Sequence, residues 1–178
     1  SQSADATVLF VDVGGFTAPT DAIPDDLARL IAAWLDLITD EITRFDGCLD
    51  TYIGDAVSAW WGPEHGDQHA VKACRAAKGM KTGLEALNAR FRSKRWPDPG
   101  LKLKIGIASG RVTLGTYGTA KRLRFTVLGD VVNLGSRLCG LAHQQYAQSV
   151  LLSESTQARL AGQVSTVLVD TIHVKASD

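Results

Sequence analysis

Two aspartates, Asp12 and Asp55, are the residues whose type and setting point most directly to chemistry. Asp12 ends the apolar run "VLFVD" shortly before Gly14-Gly15, and Asp55 follows Gly54 between two apolar stretches. If the strand with Asp12 pairs beside a hairpin that turns at Asp55, both carboxylates project at the same end of a sheet and repel each other. A divalent cation removes that cost, since Mg²⁺ is commonly held by one or two carboxylates together with waters and substrate phosphates.

The glycines after Asp12 favour a phosphate site beside the same carboxylate. Gly14 and Gly15 allow a sharp turn in which backbone N–H groups face an anion, and the start of the next helix adds partial positive charge. The alternative interpretation is structural, with each aspartate capping N–H groups in its own turn. Two such aspartates, each close to glycine, favour the metal and phosphate site.

The elements that must position these residues follow from the apolar patterns. Strands are expected at 6–13, 48–53, 56–61, 101–110, 111–118, 123–128 and 149–153, with a closing hairpin formed by 164–169 and 171–175. Helices are expected from Pro24 to about Gly47, over 67–92 and 130–141, and from a Ser153 cap to Leu160. Because strands and helices do not alternate strictly, this order predicts an α+β sandwich with a mostly antiparallel sheet and flanking helices.

Composition limits the possible functions. The chain has 178 residues, 45% of them hydrophobic, which suits one folded domain. Lysine plus arginine equals aspartate plus glutamate, at 19 each, so net charge gives no reason to expect binding to nucleic acid or to a membrane.

The cysteines and the ends of the sequence predict where the protein is located and whether it is part of a longer chain. Cys48, Cys74 and Cys139 form no CxxC pair, which predicts free thiols in a reducing cytoplasm. No apolar run approaches membrane-spanning length, and no signal peptide is visible. The abrupt start and end predict a single domain, 1–178, excised from a longer protein that could itself be attached to a membrane.

Four stretches resemble class III nucleotidyl cyclases in order and spacing: "FVDVGGFT", "YIGDAVSAWWG", "GIASGRVTLGTYG" and "FTVLGDVVNLGSRL". The similarity runs from Ala6 to Lys175. It implies a ferredoxin-like α+β fold and an enzyme that makes a 3′,5′-cyclic nucleotide and pyrophosphate from a nucleoside triphosphate. It also implies a head-to-tail dimer with its sites at the subunit interface.

The resemblance assigns roles to single residues. Asp12 and Asp55 match the pair that binds two Mg²⁺ or Mn²⁺ ions, with the Val13 carbonyl as a further ligand. Asn133 and Arg137, four apart on one helix face, match the asparagine that orients the ribose and the arginine that stabilises the transition state. Phosphate contacts are implied for Phe16, Thr17, Arg111 and Lys175.

Every matched role is present in this one chain, which favours a homodimer with two equivalent sites. The metals would then come from one subunit, and Asn133, Arg137 and Lys175 from the other. Each residue also has a structural alternative: a solvated helix arginine, a capping asparagine, an exposed strand lysine or, for Arg111, a turn arginine.

The base-reading positions depart from the family pattern. Adenylyl members usually have lysine where this chain has Thr51, opposite an aspartate or threonine that is Thr126 here. Guanylyl members usually have glutamate and cysteine at the two positions. A threonine hydroxyl donates or accepts a hydrogen bond, so an adenylyl cyclase that uses ATP with looser base selection is expected. The alternatives are a guanylyl or relaxed-specificity cyclase, a non-catalytic nucleotide-binding domain of this fold and, last, a diguanylate-type cyclase.

Overall fold

A computed structural model describes residues 2–14, 24–53, 56–94, 96–97 and 99–173 of the chain. Its strands are β1 (Gln2–Gly14), β2 (Cys48–Ile53), β3 (Ala56–Trp61), β4 (Lys102–Thr119), β5 (Arg122–Leu128) and β6 (Val150–Leu152). Its helices are α1 (Pro24–Arg44), α2 (His69–Phe91), α3 (Asp130–Leu141) and α4 (Glu154–Ala158), with a 3-10 helix at Pro63–Gln68. None of the described helices is both long and apolar enough to span a membrane.

The strands form one six-stranded sheet in the order β2-β3-β1-β4-β5, and β6 pairs with β4. The β4–β6 pair is parallel and the other described pairs are antiparallel. Leu9 and Val11 of β1 pack with α1 and α2, whereas Val8 packs with α3 on the other side, because successive strand side chains point to opposite faces. The predicted α+β sandwich with a mostly antiparallel sheet and flanking helices is confirmed.

Helix α1 shows why the apolar period predicted its position. Leu30, Trp34, Ile38 and Ile42 recur at four-residue steps and are all buried against the sheet and α2. Two aspartates in the first turn suit the positive end of the helix. Trp60 and Trp61 of β3 are also buried.

Strand β4 differs from the prediction of two hairpin arms that turn near Gly110. It is continuous over eighteen residues, pairing with β1 along its first part and with β5 along its last. Gly110 has φ +153 within this strand. The sequence "ASGR" is typical of a turn, but glycine inside a strand also allows a bend where the partner changes.

The predicted closing hairpin is wrong over the part that the structure describes. Residues 164–173 form no strand, and Val167 and Leu168 are 86% and 84% exposed. The segment is rich in β-branched and apolar residues, which favour strands, but such a composition does not specify which strand edge the segment pairs with. Residues 174–175 lie outside the described part.

A hydrogen-bond network ties α2 to β1 at the end of the sheet remote from Asp12. His69 is 4% exposed, with Nε2 3.0 Å from Asp5 Oδ2 and Nδ1 2.7 Å from Thr7 Oγ1. Arg159 donates to both Asp5 oxygens at 2.9 and 2.7 Å. The ring therefore donates from Nε2 and accepts at Nδ1. The sequence predicts a helix start near this histidine, and α2 does begin at His69; the burial of its ring was not predicted.

We expect the free energy of unfolding to fall as the pH is lowered from 7 to 5. Burial lowers the pKa of His69 below its ordinary 6.5. As the pH falls below 6.5, the unfolded chain therefore binds a proton at this histidine before the folded chain does. Between the two pKa values the slope approaches about 1.4 kcal/mol per pH unit. Urea unfolding at pH 5, 6 and 7 measures this slope, and His69→Gln should reduce it; a smaller slope remains because the pKa of His143 is also lowered, by burial and by nearby lysines.

The exposed His173 supplies the control, because His173→Gln should leave the slope unchanged. A separate decline is expected below pH 3.8, since Arg159 lowers the pKa of Asp5 from that ordinary value. The stability gained from ionised Asp5 is complete above 3.8 and is lost as the pH falls through the lower folded-state value. A wild-type slope retained by His69→Gln would contradict the His69 assignment.

Candidate active site

Asp12 lies near the carboxyl end of β1, where the backbone holds its side chain in place. Its Oδ1 accepts the N–H of Val13 at 2.8 Å, and its register partner across the strand pair is Lys104 of β4. The side chain is half-buried. Asp12 has the same strand parity as Val8, so it faces the α3 side of the sheet.

Cys139 of α3 lies close to the Asp12 carboxylate. Its Sγ donates to the Lys104 carbonyl at 3.3 Å. Burial, and after it the negative charge of Asp12, raises the pKa of the Cys139 thiol to about 11. The C-terminal half of α3 therefore lies beside the end of β1 that carries Asp12.

The β2–β3 hairpin turns at the same end of the sheet. Val57 of β3 pairs with Val11 of β1, and Ile53 of β2 pairs with Ala56. The strand pairing on which the two-aspartate hypothesis depends is thus confirmed. Asp55 itself lies outside the described residues, and within the described part no three His, Cys, Asp or Glu side chains form a metal cluster.

Helix α3 presents one buried and one exposed side. Gly135, Leu138 and Cys139 are buried, whereas Asn133 and Arg137 are exposed and four residues apart. Residues at this spacing share a helix face. The structure therefore places these two side chains together, on the side of α3 that does not pack on the sheet.

The second base-reading position, Thr126 on β5, has an unexpected partner. Its hydroxyl donates to the carboxylate of Asp50 on β2, with Oγ1 2.9 Å from Oδ1 and 2.8 Å from Oδ2. Asp50 was not predicted as a site residue. The only sequence signal was its place next to Thr51, whose side chain lies outside the described part.

Comparison with known proteins decides the family. The family described as "Adenylate and Guanylate cyclase catalytic domain" matches residues 1–178. The chain belongs to this family. The predicted recognition from four sequence blocks is confirmed.

Curated relatives of this cyclase domain include longer proteins. It is 32% identical over 157 residues to "Adenylate cyclase 1" of Rhizobium meliloti (strain 1021), covering 87% of this chain and 23% of that protein. It is 33% identical over 178 residues to an adenylate cyclase of Anabaena cylindrica, covering 97% of this chain and 34% of that protein. The chain thus spans a quarter to a third of these relatives' length.

Solved structures agree on the fold. The adenylyl cyclase CyaB from P. aeruginosa superposes with TM-score 0.78 at 26% identity, covering 89% of this chain and 81% of that one. The guanylyl cyclase Cya2 gives TM-score 0.80 at 24% identity, covering 98% and 87%. The fold is therefore that of class III cyclase domains, a fold shared by cyclases named for either purine nucleotide.

Arg111, predicted to contact the phosphates, lies far from Asp12 of the same chain. Its register partner is Asp5, seven residues before Asp12 on β1, which corresponds to roughly 23 Å along a strand. Its Nε donates to Ser3 Oγ at 3.0 Å. Phe16, Thr17 and Lys175 lie outside the described residues, so their roles stay predictions.

Two glycines allow α3 to lie close to the sheet of the cyclase domain. A Cβ on Gly106 of β4 would overlap backbone atoms of Gly135 and Cys139, and a Cβ on Gly135 would come within 3.1 Å of Phe10. The helix that carries Asn133 and Arg137 is therefore positioned by a direct backbone contact with β4.

Gly106→Ala is expected to lower the free energy of unfolding by about 1–3 kcal/mol, the usual cost of inserting a methyl group into a packed core. Urea unfolding measures the change. Gly140→Ala on α3 is the control, because a Cβ there meets no atom within 4 Å and alanine is the better helix former. Equal stabilities for the two variants would mean that α3 does not lie against β4 as described.

Proposed function

We propose that this domain converts ATP into 3′,5′-cyclic AMP and pyrophosphate, at two equivalent sites of a head-to-tail homodimer, with two Mg²⁺ or Mn²⁺ ions in each site. The observation that carries the proposal is the placement of the two functional groups on different surfaces. Asp12 lies on the sheet side of α3, at the strand end where the β2–β3 hairpin turns. Asn133 and Arg137 share the exposed side of α3, which a second subunit can approach.

The residues around Asp12 fit a pair of divalent ions. A half-buried carboxylate with one oxygen fixed by the Val13 N–H is a pre-positioned hard ligand of the kind that Mg²⁺ prefers. Asp55 and the Val13 carbonyl complete the proposed ligand set from the protein. When bound, the ions lower the barrier to deprotonating the ribose 3′-hydroxyl and neutralise phosphate charge.

The protein's own side chains then position the reactants. The 3′-oxygen forms a bond to the α-phosphorus, and the bond from that phosphorus to the oxygen of the departing pyrophosphate breaks. Asn133 orients the ribose for this in-line attack, and Arg137 donates to the oxygens on which charge develops. Phe16, Thr17 and Lys175, and Arg111 if the partner subunit brings it near, hold the triphosphate. Positioning and fixed charge suffice for phosphoryl transfer.

A guanylyl cyclase is the second candidate, and one observation favours it. The carboxylate of Asp50 stands beside Thr126, one residue before Thr51, the position at which the adenylyl pattern has a lysine. A carboxylate accepts hydrogen bonds, and guanine presents more N–H donors than adenine on its Watson–Crick edge. The non-catalytic alternative is less favoured, because Asp12, Asp55 and Arg137 are all present.

Measuring the cyclic product formed from ATP and from GTP with Mn²⁺ tests the proposal on the purified domain. We expect cyclic AMP, with some cyclic GMP formed from GTP. A strong preference for GTP would reject the choice of base and keep the cyclase. Absence of cyclic product from both nucleotides, at concentrations where the chain is dimeric, would reject the enzyme.

A further inference from the structure

The contact between Asp50 and Thr126 joins two strands that are far apart in the sheet. β2 and β5 stand at opposite ends of the order β2-β3-β1-β4-β5, yet Thr126 Oγ1 is within 2.9 Å of both Asp50 oxygens. The end of the β4–β5 hairpin therefore lies across the sheet, over β2 and β3. A second contact supports this placement, since the Phe125 and Trp60 rings are 5.8 Å apart.

An irregularity in β2 explains why Asp50 makes this contact. Leu49 pairs with Ala59 and Thr51 pairs with Ser58, so β2 advances by two residues where β3 advances by one. The extra residue is Asp50. A bulge of this kind turns a side chain away from the regular alternation of the strand, and here it presents a carboxylate to β5.

We propose that Asp50 of β2 reads the nucleotide base together with Thr126 of β5. This inference rests on the proposed cyclase function. The pair offers one charged acceptor and one hydroxyl that donates or accepts. The class of ligand that suits it is a purine whose Watson–Crick edge carries an N–H donor beside an acceptor.

Both common purines meet this requirement. Adenine donates from its 6-amino group to Asp50 and accepts at N1 from the Thr126 hydroxyl. Guanine donates from N1 and its 2-amino group to Asp50 and accepts at O6 from Thr126. The hydroxyl that now points at Asp50 has only to rotate toward the base. The pair therefore accepts both ATP and GTP. Guanine donates to the Asp50 carboxylate from two groups, and adenine from one.

The test compares ATP with the triphosphate of purine riboside, which is the same nucleotide without the 6-amino group. In the wild type, kcat/KM for purine riboside triphosphate should be about tenfold lower, as expected for the loss of one hydrogen bond to a charged group. In Asp50→Ala the two substrates should differ by less than about twofold. Asp36→Ala, at an exposed acid of α1, should keep the wild-type ratio.

Asp50→Asn gives an independent outcome if the alanine variant folds poorly. The amide oxygen still accepts from the adenine 6-amino group while Thr126 donates to N1, whereas one amide oxygen cannot serve both N–H donors of guanine and the NH₂ group opposes the second. The ATP-to-GTP ratio of kcat/KM should rise about tenfold relative to the wild type. A purely structural role for Asp50 would lower the rates with both nucleotides equally and leave the ratios unchanged, which would overturn the proposal.

Failure of the cyclase function would be visible separately, as absence of cyclic product from the wild type with ATP and GTP. Titration calorimetry of ATP and of purine riboside triphosphate into wild type and Asp50→Ala then decides the base contact without turnover. A difference in affinity that disappears in the variant supports Asp50 as the base reader. A difference that persists in the variant, or equal affinities in the wild type, refutes it.

Discussion

Asp12→Asn is expected to lower kcat for cyclic AMP formation by about 10³-fold and to leave the fold intact. The asparagine oxygen can still accept the Val13 N–H that Asp12 Oδ1 accepts at 2.8 Å, so the end of β1 should keep its geometry. The substitution removes the negative charge on which metal binding depends, and metal ions supply several kcal/mol of transition-state stabilisation. Cyclic AMP production at saturating Mn²⁺, with circular dichroism and urea unfolding, measures both parts.

Asp40→Asn is the control for Asp12→Asn, because Asp40 is an exposed acid on α1 and its loss should leave kcat unchanged. Asp55→Ala should reproduce the loss if Asp55 is the second metal ligand. An Asp12→Asn variant that keeps more than about a tenth of wild-type kcat would refute the metal assignment. If Asp12→Asn were inactive because it is unfolded, its urea unfolding curve would show no folded baseline.

The sequence predicts well those parts of the site that depend on the order and spacing of neighbouring residues. The apolar run before Asp12 requires a buried strand, and two apolar stretches separated by Gly54-Asp55 favour a hairpin. Antiparallel pairing of that hairpin with β1 then brings the two strand ends together, as the Val11–Val57 register shows. The spacing of Asn133 and Arg137 likewise determines their common helix face without any tertiary information.

The features that the sequence did not predict depend on contacts between distant segments. The bulge at Asp50 presents its carboxylate to β5, and the sequence "CLDTYI" gives no local indication of a bulge. His69 is a polar residue at a helix start, which is typical of the surface, and only its pairing with Asp5 and Thr7 accounts for its burial. A turn near Gly110 and a bend within one long strand have the same local sequence, so the sequence does not distinguish two strands from the single strand β4.

The exposed segment 164–173 is a second case in which local sequence does not determine the structure. Its β-branched and apolar residues are typical of a strand, but a strand needs a partner edge, and sequence alone does not supply one. The register of Arg111 opposite Asp5 is a similar case. The sequence block around Arg111 indicated a phosphate contact, whereas the strand pairing places it far from Asp12 in the same chain.

The dimer proposal predicts that two inactive variants restore activity when they are combined. Asp12→Asn removes a metal ligand and Arg137→Ala removes the cation that stabilises the transition state, each lowering kcat by about 10³-fold. In a heterodimer of the two, both lesions fall in one site, and the other site has a native Asp12 and a native Arg137. Equal co-expression gives half heterodimers with one intact site of two, so about a quarter of wild-type activity should return.

The recovery depends on geometry as well as on the two residues. If Asp12 and Arg137 of the same chain served one site, every site in the mixture would carry a lesion, and activity would stay at the level of the single variants. The control pairs Asp12→Asn with the Asp12→Asn/Arg137→Ala double variant, a mixture in which no arrangement of subunits leaves an intact site. Because Arg137 lies on the exposed side of α3 and Asp12 on the side facing the sheet, we expect recovery in the first mixture and none in the second.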